Sequence, residues 1–253
     1  MIASLFRAPL LALPIAMLSW TLLGAPAATA ATKYKVNLPP SAELTYTIKA
    51  KQKGMSVEGE GVMRWTADAG KFSVSNEARA MLVGKILDAK SEGTVDAYGL
   101  APATFSEKRF RREKTTTSFD RTANTIRFTA SDDSYPIKGG EQDRNSAVWQ
   151  LISIARAAPA KFKPGTSWTF VVAGTRHAEP WTFKVVKRDK VTTPLGEMNA
   201  LHIVRMPQPD DKDQQLDIWL APSLEWYPVR LRFSDDNGDY IEQTLQKIGA
   251  KAS

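Results

Sequence analysis

The densest grouping of chemically capable side chains is Lys108-Arg109-Phe110-Arg111-Arg112-Glu113-Lys114, in which six of seven residues are charged. Lys108, Arg109, Arg111 and Arg112 are the candidates for holding an anion. A guanidinium presents forked N–H donors that match phosphate or carboxylate oxygens, and it keeps its charge at any physiological pH. Read as a continuous strand, the segment sets Lys108, Arg112 and Lys114 on one face with Phe110, and Arg109 and Arg111 on the other. Neither face can then be deeply buried. The segment is expected as an edge strand or a projecting hairpin, where positive charge also discourages edge-to-edge pairing.

Other chemistries find less support. The chain has no cysteine and two histidines, His177 and His202. Disulfides, thiolate metal sites and cysteine nucleophiles are therefore excluded, and the two histidines lack metal-ligand spacing. No G-x-S-x-G occurs, so a serine nucleophile on a strained strand-to-helix turn is not indicated. The acidic runs Asp210-Asp211-Lys212-Asp213 and Asp235-Asp236-Asn237-Gly238-Asp239 lack the alternating ligands and distal Glu of a calcium loop, and both read as turns or solvated loops. A pair of carboxylates on neighbouring strands would suffice for a hydrolase of cell-wall or lipid material, but many Asp and Glu residues qualify and none stands out. The reading is accordingly of a chain that is not an enzyme, with no catalytic residue, no metal ligand and no cofactor.

The elements that must position these groups are mostly strands. Leu44, Tyr46 and Ile48 alternate in ELTYTIKA, and similar short runs recur through KFSVSNEARA, ATFSEKRF, SWTFVVAG, NALHIVRM and YPVRLRF. Turn signals separate them, among them Gly99 and the Asn237-Gly238 step. One segment differs. In DRNSAVWQLISIARAAP, Val148, Leu151, Ile152 and Ala155 fall at i, i+3, i+4 and i+7, with Asp143 available as a cap and Pro159 as a stop. The spacing predicts an amphipathic helix over 144–158, about four turns long, that buries its stripe against the sheet. Trp149 flanks that stripe and is added to the binding candidates, because it can face either the sheet or a groove beside it.

The expected fold is thus all-β and predominantly antiparallel with one amphipathic helix, its curved sheet forming a half-barrel or open barrel, with a β-sandwich as the alternative. Residues 1–30 read as a signal peptide: Arg7 precedes an apolar stretch from about Ala8 to Leu23, and small residues end at Ala28-Thr29-Ala30, with cleavage expected after Ala30. An extended lead-in over 31–42, a single β-rich domain over 43–248 and a flexible tail over 249–253 complete the chain. Periplasmic location follows, with no transmembrane segment after signal removal. The formal charge of +7 favours anionic partners. A lipid, a glycan or an envelope protein fits export, and nucleic acid does not.

Four segments carry a family resemblance: LPPSAELTYTIKAKQKGMSVEGEGVMRW, DAYGLAPATFSEKRFRRE, QDRNSAVWQL and IWLAPSLEWYPVRLRFSDDNGDYIEQ. In combination they resemble the exported proteobacterial family known as domain of unknown function 3108, from about residue 38 to 248. The resemblance implies an envelope location and a β-rich domain, and it brings no established activity or catalytic residue. The reading that follows is a binding protein or carrier for an amphiphilic or anionic envelope ligand. Its alternatives are a protein-interaction module in the envelope and the hydrolase.

Overall fold

A computed structural model describes residues 32–207 and 215–250. The expected signal peptide, the acidic run at 210–213 and the last three residues lie outside these. Alternating apolar rows build β1 (Ala42–Gln52), β2 (Met55–Asp68), β3 (Lys71–Ala80), β4 (Gly84–Asp96), β5 (Gly99–Arg109), β6 (Thr115–Asp120), β7 (Thr125–Phe128) and β8 (Ser134–Pro136). After β9 (Gln142–Asp143) comes the helix α1 (Ser146–Ala157). The chain then continues through β10 (Ser167–Ala173), β11 (Ala178–Thr193), β12 (Gly196–Met206), β13 (Gln215–Leu220), β14 (Pro228–Ser234) and β15 (Tyr240–Ala250).

All strands belong to one 15-stranded sheet in the order β8-β7-β6-β5-β4-β3-β2-β1-β15-β14-β13-β12-β11-β10-β9. Two meanders run in opposite directions and join where the first strand pairs with the last, Leu44 opposite Ile248 and Tyr46 opposite Leu245. Every pairing is antiparallel except that of β9 with β10. Neither long terminal strand is therefore an edge; the edges are the three residues of β8 and the two of β9. β15 runs to Ala250, with Gly249 opposite Glu43 and Ala250 opposite Ala42, so the expected tail over 249–253 begins two residues too early.

A sheet of this width cannot stay open and flat under the right-handed twist of its strands. Register shifts at Thr45/Tyr46, Ala78/Arg79, Glu92/Gly93 and Val185/Lys187 bend it further. Its two ends approach without a ladder: the Thr117 hydroxyl donates to the Gly174 carbonyl at 2.7 Å, and Phe105, Phe119, Ile126 and Phe128 pack with Ala173 and Ala178. The result is an open barrel rather than a sandwich.

The helix fills the interior. It is about three turns long, not four, and Ser146 to Ala155 are all buried. Two of its polar side chains, Gln150 and Ser153, have partners inside the barrel. The Gln150 amide accepts from Leu100 N and donates to the Tyr98 carbonyl, both at 2.8 Å, and the Ser153 hydroxyl donates to the Trp149 carbonyl at 2.7 Å. Gly99, at φ +105°, lies where a Cβ would run into the Gln150 amide. The expected cap is present but displaced. Asn145 occupies the position preceding the helix, while the Asp143 carboxylate two residues upstream accepts from the backbone N–H groups of Asn145 and Ser146 at 2.8 and 2.9 Å.

The lead-in is part of the core. Asn37 N donates to the Ser153 carbonyl, Trp65 Nε1 to the Pro39 carbonyl and the Tyr227 hydroxyl to the Pro40 carbonyl. Trp149 is fully buried, stacked on Trp65 with ring centroids 4.5 Å apart and edge-on to Tyr227. It faces the sheet.

Candidate functional site

The strand rows that point into the barrel change character along their length. In β3 the inward row runs Phe72, Val74, Asn76; in β5 it runs Phe105, Glu107, Arg109; in β12, Leu201, Ile203, Arg205; and in β11, read from the core outward, Phe183, Trp181, Glu179. At one end of the barrel the rows are apolar and meet around α1. At the other end they turn polar and charged, and there the interior opens into a cleft of about 400 Å³.

The floor of the cleft is apolar, formed by Met63, Val148, Trp181, Leu216, Leu231 and Phe233, and its walls carry Arg109, Arg144, Arg205, Glu107, Glu179 and His177. That volume lies within the range of sites for small organic ligands. Two of the arginines have acidic partners: Arg109 Nε bonds Glu107 at 2.7 Å, and Arg205 bonds Glu179 at 3.2 Å while its guanidinium lies 4.4 Å over the Trp181 ring. The third does not. Arg144, held just ahead of α1, makes no hydrogen bond or ion pair within the described residues, and its guanidinium lies against Gly174, where a Cβ would crowd it. Burial pushes its pKa down, the Glu107 carboxylate acting in the opposite sense. A desolvated, unpaired guanidinium beside apolar wall is a ready partner for an entering anion.

Behind Arg144 lies a second polar feature. Asp143 is fully buried, with its carboxylate accepting from the Ser91 hydroxyl at 2.5 Å as well as from the two helix amides. Burial pushes its pKa up to about 6 despite these bonds. This network ties α1 to β4 and so fixes where Arg144 projects.

The sequence-derived candidates separate in space. Arg109 lines the cleft. Arg112 lines an adjoining hollow of about 250 Å³, together with Arg176, and this hollow shares Glu107, Arg109 and Arg144 with the cleft. The expectation that Arg112 opposes Arg109 is corrected: β5 ends at Arg109, Arg112 N bonds the Arg109 carbonyl at 3.0 Å, and Arg111 turns at φ +55°, which breaks the strand alternation. Lys108 is exposed, opposite Asp88 and on the face away from Glu107 and Arg109. The Arg111 guanidinium lies 5.0 Å over the Phe110 ring at the hairpin tip. Trp149 touches neither hollow. The segment is a hairpin tip, and β5 itself is an interior strand between β4 and β6.

Arg144, Arg205, Glu107 and Glu179 were not singled out by the sequence. A signal existed for Arg205, since Leu201, Ile203 and Arg205 continue one apolar row into a charge. Arg144 had none, because its position depends on how α1 docks. Of the histidines, His177 borders the cleft, 3.9 Å from Glu179. His202 lies on the outer face, where its Nε2 is 2.6 Å from Asp217 and its ring stacks on Trp219. Asp235 to Asp239 form the β14–β15 turn, with Asp235 Oδ1 accepting from Asn237 N and Asp239 N. Among the described residues no group of His, Asp and Glu side chains is arranged to hold a metal, and no helix is long and apolar enough to cross a membrane.

No curated protein matches the sequence. Among solved structures, a β-barrel-like protein of the domain-of-unknown-function family DUF1849 from Brucella abortus superposes with a TM-score of 0.57 at 10% identity, over 86% of this chain and 100% of that one. At that identity the likeness shows the fold alone. A protein from Bacteroides fragilis provisionally described as exported gives 0.35 at 10% identity, over 86% of this chain and 100% of its own. A Vibrio parahaemolyticus domain provisionally described as outer membrane lipoprotein-sorting gives 0.30 at 7% identity, over 85% and 86%. Neither of these two carries an argument. The family model described as Protein of unknown function (DUF3108) matches residues 43–246, and the chain belongs to that family.

Proposed function

We propose that this is an exported, non-catalytic binding or carrier protein of the periplasm, whose cleft takes an amphiphile with an apolar body and an anionic group. One observation carries the reading: Arg144, unpaired among the described residues and partly desolvated, stands over an apolar floor in a cleft of ligand size. An apolar tail would cover Val148, Trp181 and Leu231, and its anionic end would meet Arg144, with Arg109 and Arg205 beside it. Binding without transformation is favoured because the cleft carboxylates Glu107 and Glu179 are already committed to arginines. A scaffold working through a bare sheet edge is less favoured, since edge strands of three and two residues offer little backbone to pair with.

The test is to express the full sequence in a Gram-negative host, purify the product from the periplasm gently, and compare its native and denatured intact masses. A denatured mass beginning at Ala31 supports export with cleavage after Ala30. A native mass larger by a few hundred daltons, released by organic extraction, supports the carrier. A native mass equal to the bare chain, together with no uptake of added fatty acid or anionic phospholipid, removes it.

A further inference from the structure

Six of the ten exposed large apolar side chains among the described residues lie in or just beside three turns. Met55 and Val57 follow the β1–β2 turn, Met81, Leu82 and Val83 make the β3–β4 turn, and Phe110 opens the β5–β6 turn. β1, β3 and β5 all run toward one end of the sheet and their partners return from it, so these turns share one rim, successive hairpins being about 10 Å apart. It is the rim of the cleft: Leu87, which pairs with both Ala78 and Arg109, lines the cleft just behind the β3–β4 turn.

Leu82 is 98% exposed and Met81 79%. Turns that face only water use Gly, Asn, Asp and Ser, and a contiguous apolar tip there contributes nothing to the fold. The neighbouring tips are cationic, with Lys51 and Lys53 on one side and Lys108, Arg111 and Lys114 on the other. The middle hairpin is electrically balanced, its Lys85 being paired with Glu77 and Asp88 at 3.1 and 2.9 Å, and it supplies the apolar point. The acidic β14–β15 turn bounds the rim, with the Asp239 carboxylate accepting from Lys53 N at 2.9 Å. An apolar tip between basic flanks is complementary to a bilayer surface bearing anionic headgroups, into which Leu82 and Met81 would insert to the acyl boundary.

We infer that this rim docks the protein onto a membrane surface containing anionic lipid, the Met81-Leu82-Val83 turn inserting while the basic turns on either side meet headgroups. Docking brings the cationic end of the cleft to the headgroups, yet it does not require the cleft to bind anything.

The test is co-sedimentation of the purified protein with vesicles of phosphatidylglycerol and phosphatidylcholine in equal parts, and with vesicles of phosphatidylcholine alone. The wild type is expected to sediment with the anionic vesicles and poorly with the neutral ones. Met81→Ser with Leu82→Ser lowers partitioning about tenfold or more. Lys108→Ser with Arg111→Ser and Lys114→Ser lowers it further at low salt than at high salt. None of these residues lines the cleft, so an unchanged native-mass excess in both variants separates docking from ligand binding. Unfolding midpoints matching the wild type certify that the variants fold. The inference is overturned if the wild type sediments with neither vesicle. It is also overturned if the Met81/Leu82 variant sediments like the wild type and moderate salt releases both, which is simple adsorption of a basic protein. A dimer that the Met81/Leu82 variant dissociates, with no vesicle binding, overturns it in favour of a contact between two copies.

Discussion

The two ends of the barrel interior are built by the same strands and do opposite things. At the helix-filled end, Trp149 stacks on Trp65, the lead-in closes over both, and the Gln150 amide and Ser153 hydroxyl of α1 are spent on backbone partners. At the cleft end the inward rows finish in Arg109, Arg205, Glu107 and Glu179, and Arg144 has no hydrogen bond or ion pair among the described residues. The difference teaches that rigidity at one end is what makes unpaired charge tolerable at the other. A guanidinium out of water stays in place only if the element carrying it cannot relax, and α1 is fixed by packing on all sides.

Breaking the packed end should have the largest effect. Trp149→Ala removes the partner of Trp65 and leaves a cavity under α1, and it is expected to destabilise the fold by roughly 3–5 kcal/mol in urea unfolding. A loss below about 1 kcal/mol would mean that the helix is held by something other than this stack.

The junction between the ends should respond to pH. Asp143 has a folded-state pKa pushed up to about 6, above its unfolded value. Between those values the native state binds the extra proton, so this group's contribution to stability is greatest below pH about 4 and falls as pH rises to about 6. Asp143→Asn keeps the shape and cannot ionise. The variant should match the wild type below pH about 4 and exceed it by about 3 kcal/mol above pH about 6, read from unfolding curves across that range. A constant gap between the two would show that Asp143 does not titrate in the folded protein.

Gln150→Ala cuts the two bonds that seat α1 on the turn ahead of β5 and strands the Leu100 N–H, for an expected loss of about 2 kcal/mol. Arg144→Ser sharpens the comparison from the other side. It should change stability by less than about 0.5 kcal/mol while removing most of the bound native-mass excess. A stability loss like that of Gln150→Ala would make Arg144 a structural residue and end its assignment to the cleft.

Much of the scaffold was legible because its signals are local. The alternation of Leu44, Tyr46 and Ile48 appears directly as an inward row, and the spacing of Val148, Leu151, Ile152 and Ala155 appears as the buried helix stripe. The helix is shorter than its sequence pattern because the polar residues ahead of Ser146 form a short strand and a turn instead. The cleft was less legible. Charge marks Arg109 and Arg112 in the sequence, but Arg112 reaches the same hollow as Arg109 only because Arg111 adopts a left-handed turn. Trp149 flanks the helix stripe in the sequence, and its stack on Trp65 places it in the core.

What the sequence determined by itself was the strand-rich character, the single helix, the turns and the lack of thiol chemistry, since each depends on residue type and on neighbours a few positions away. Tertiary structure alone decided that first and last strands pair, that the sheet stays one open barrel, and that Arg144, Arg205 and Arg109 converge at its mouth. Those outcomes join residues far apart in the chain. They arise from strand twist, bulges and the docking of a buried helix, which no local pattern of residues encodes.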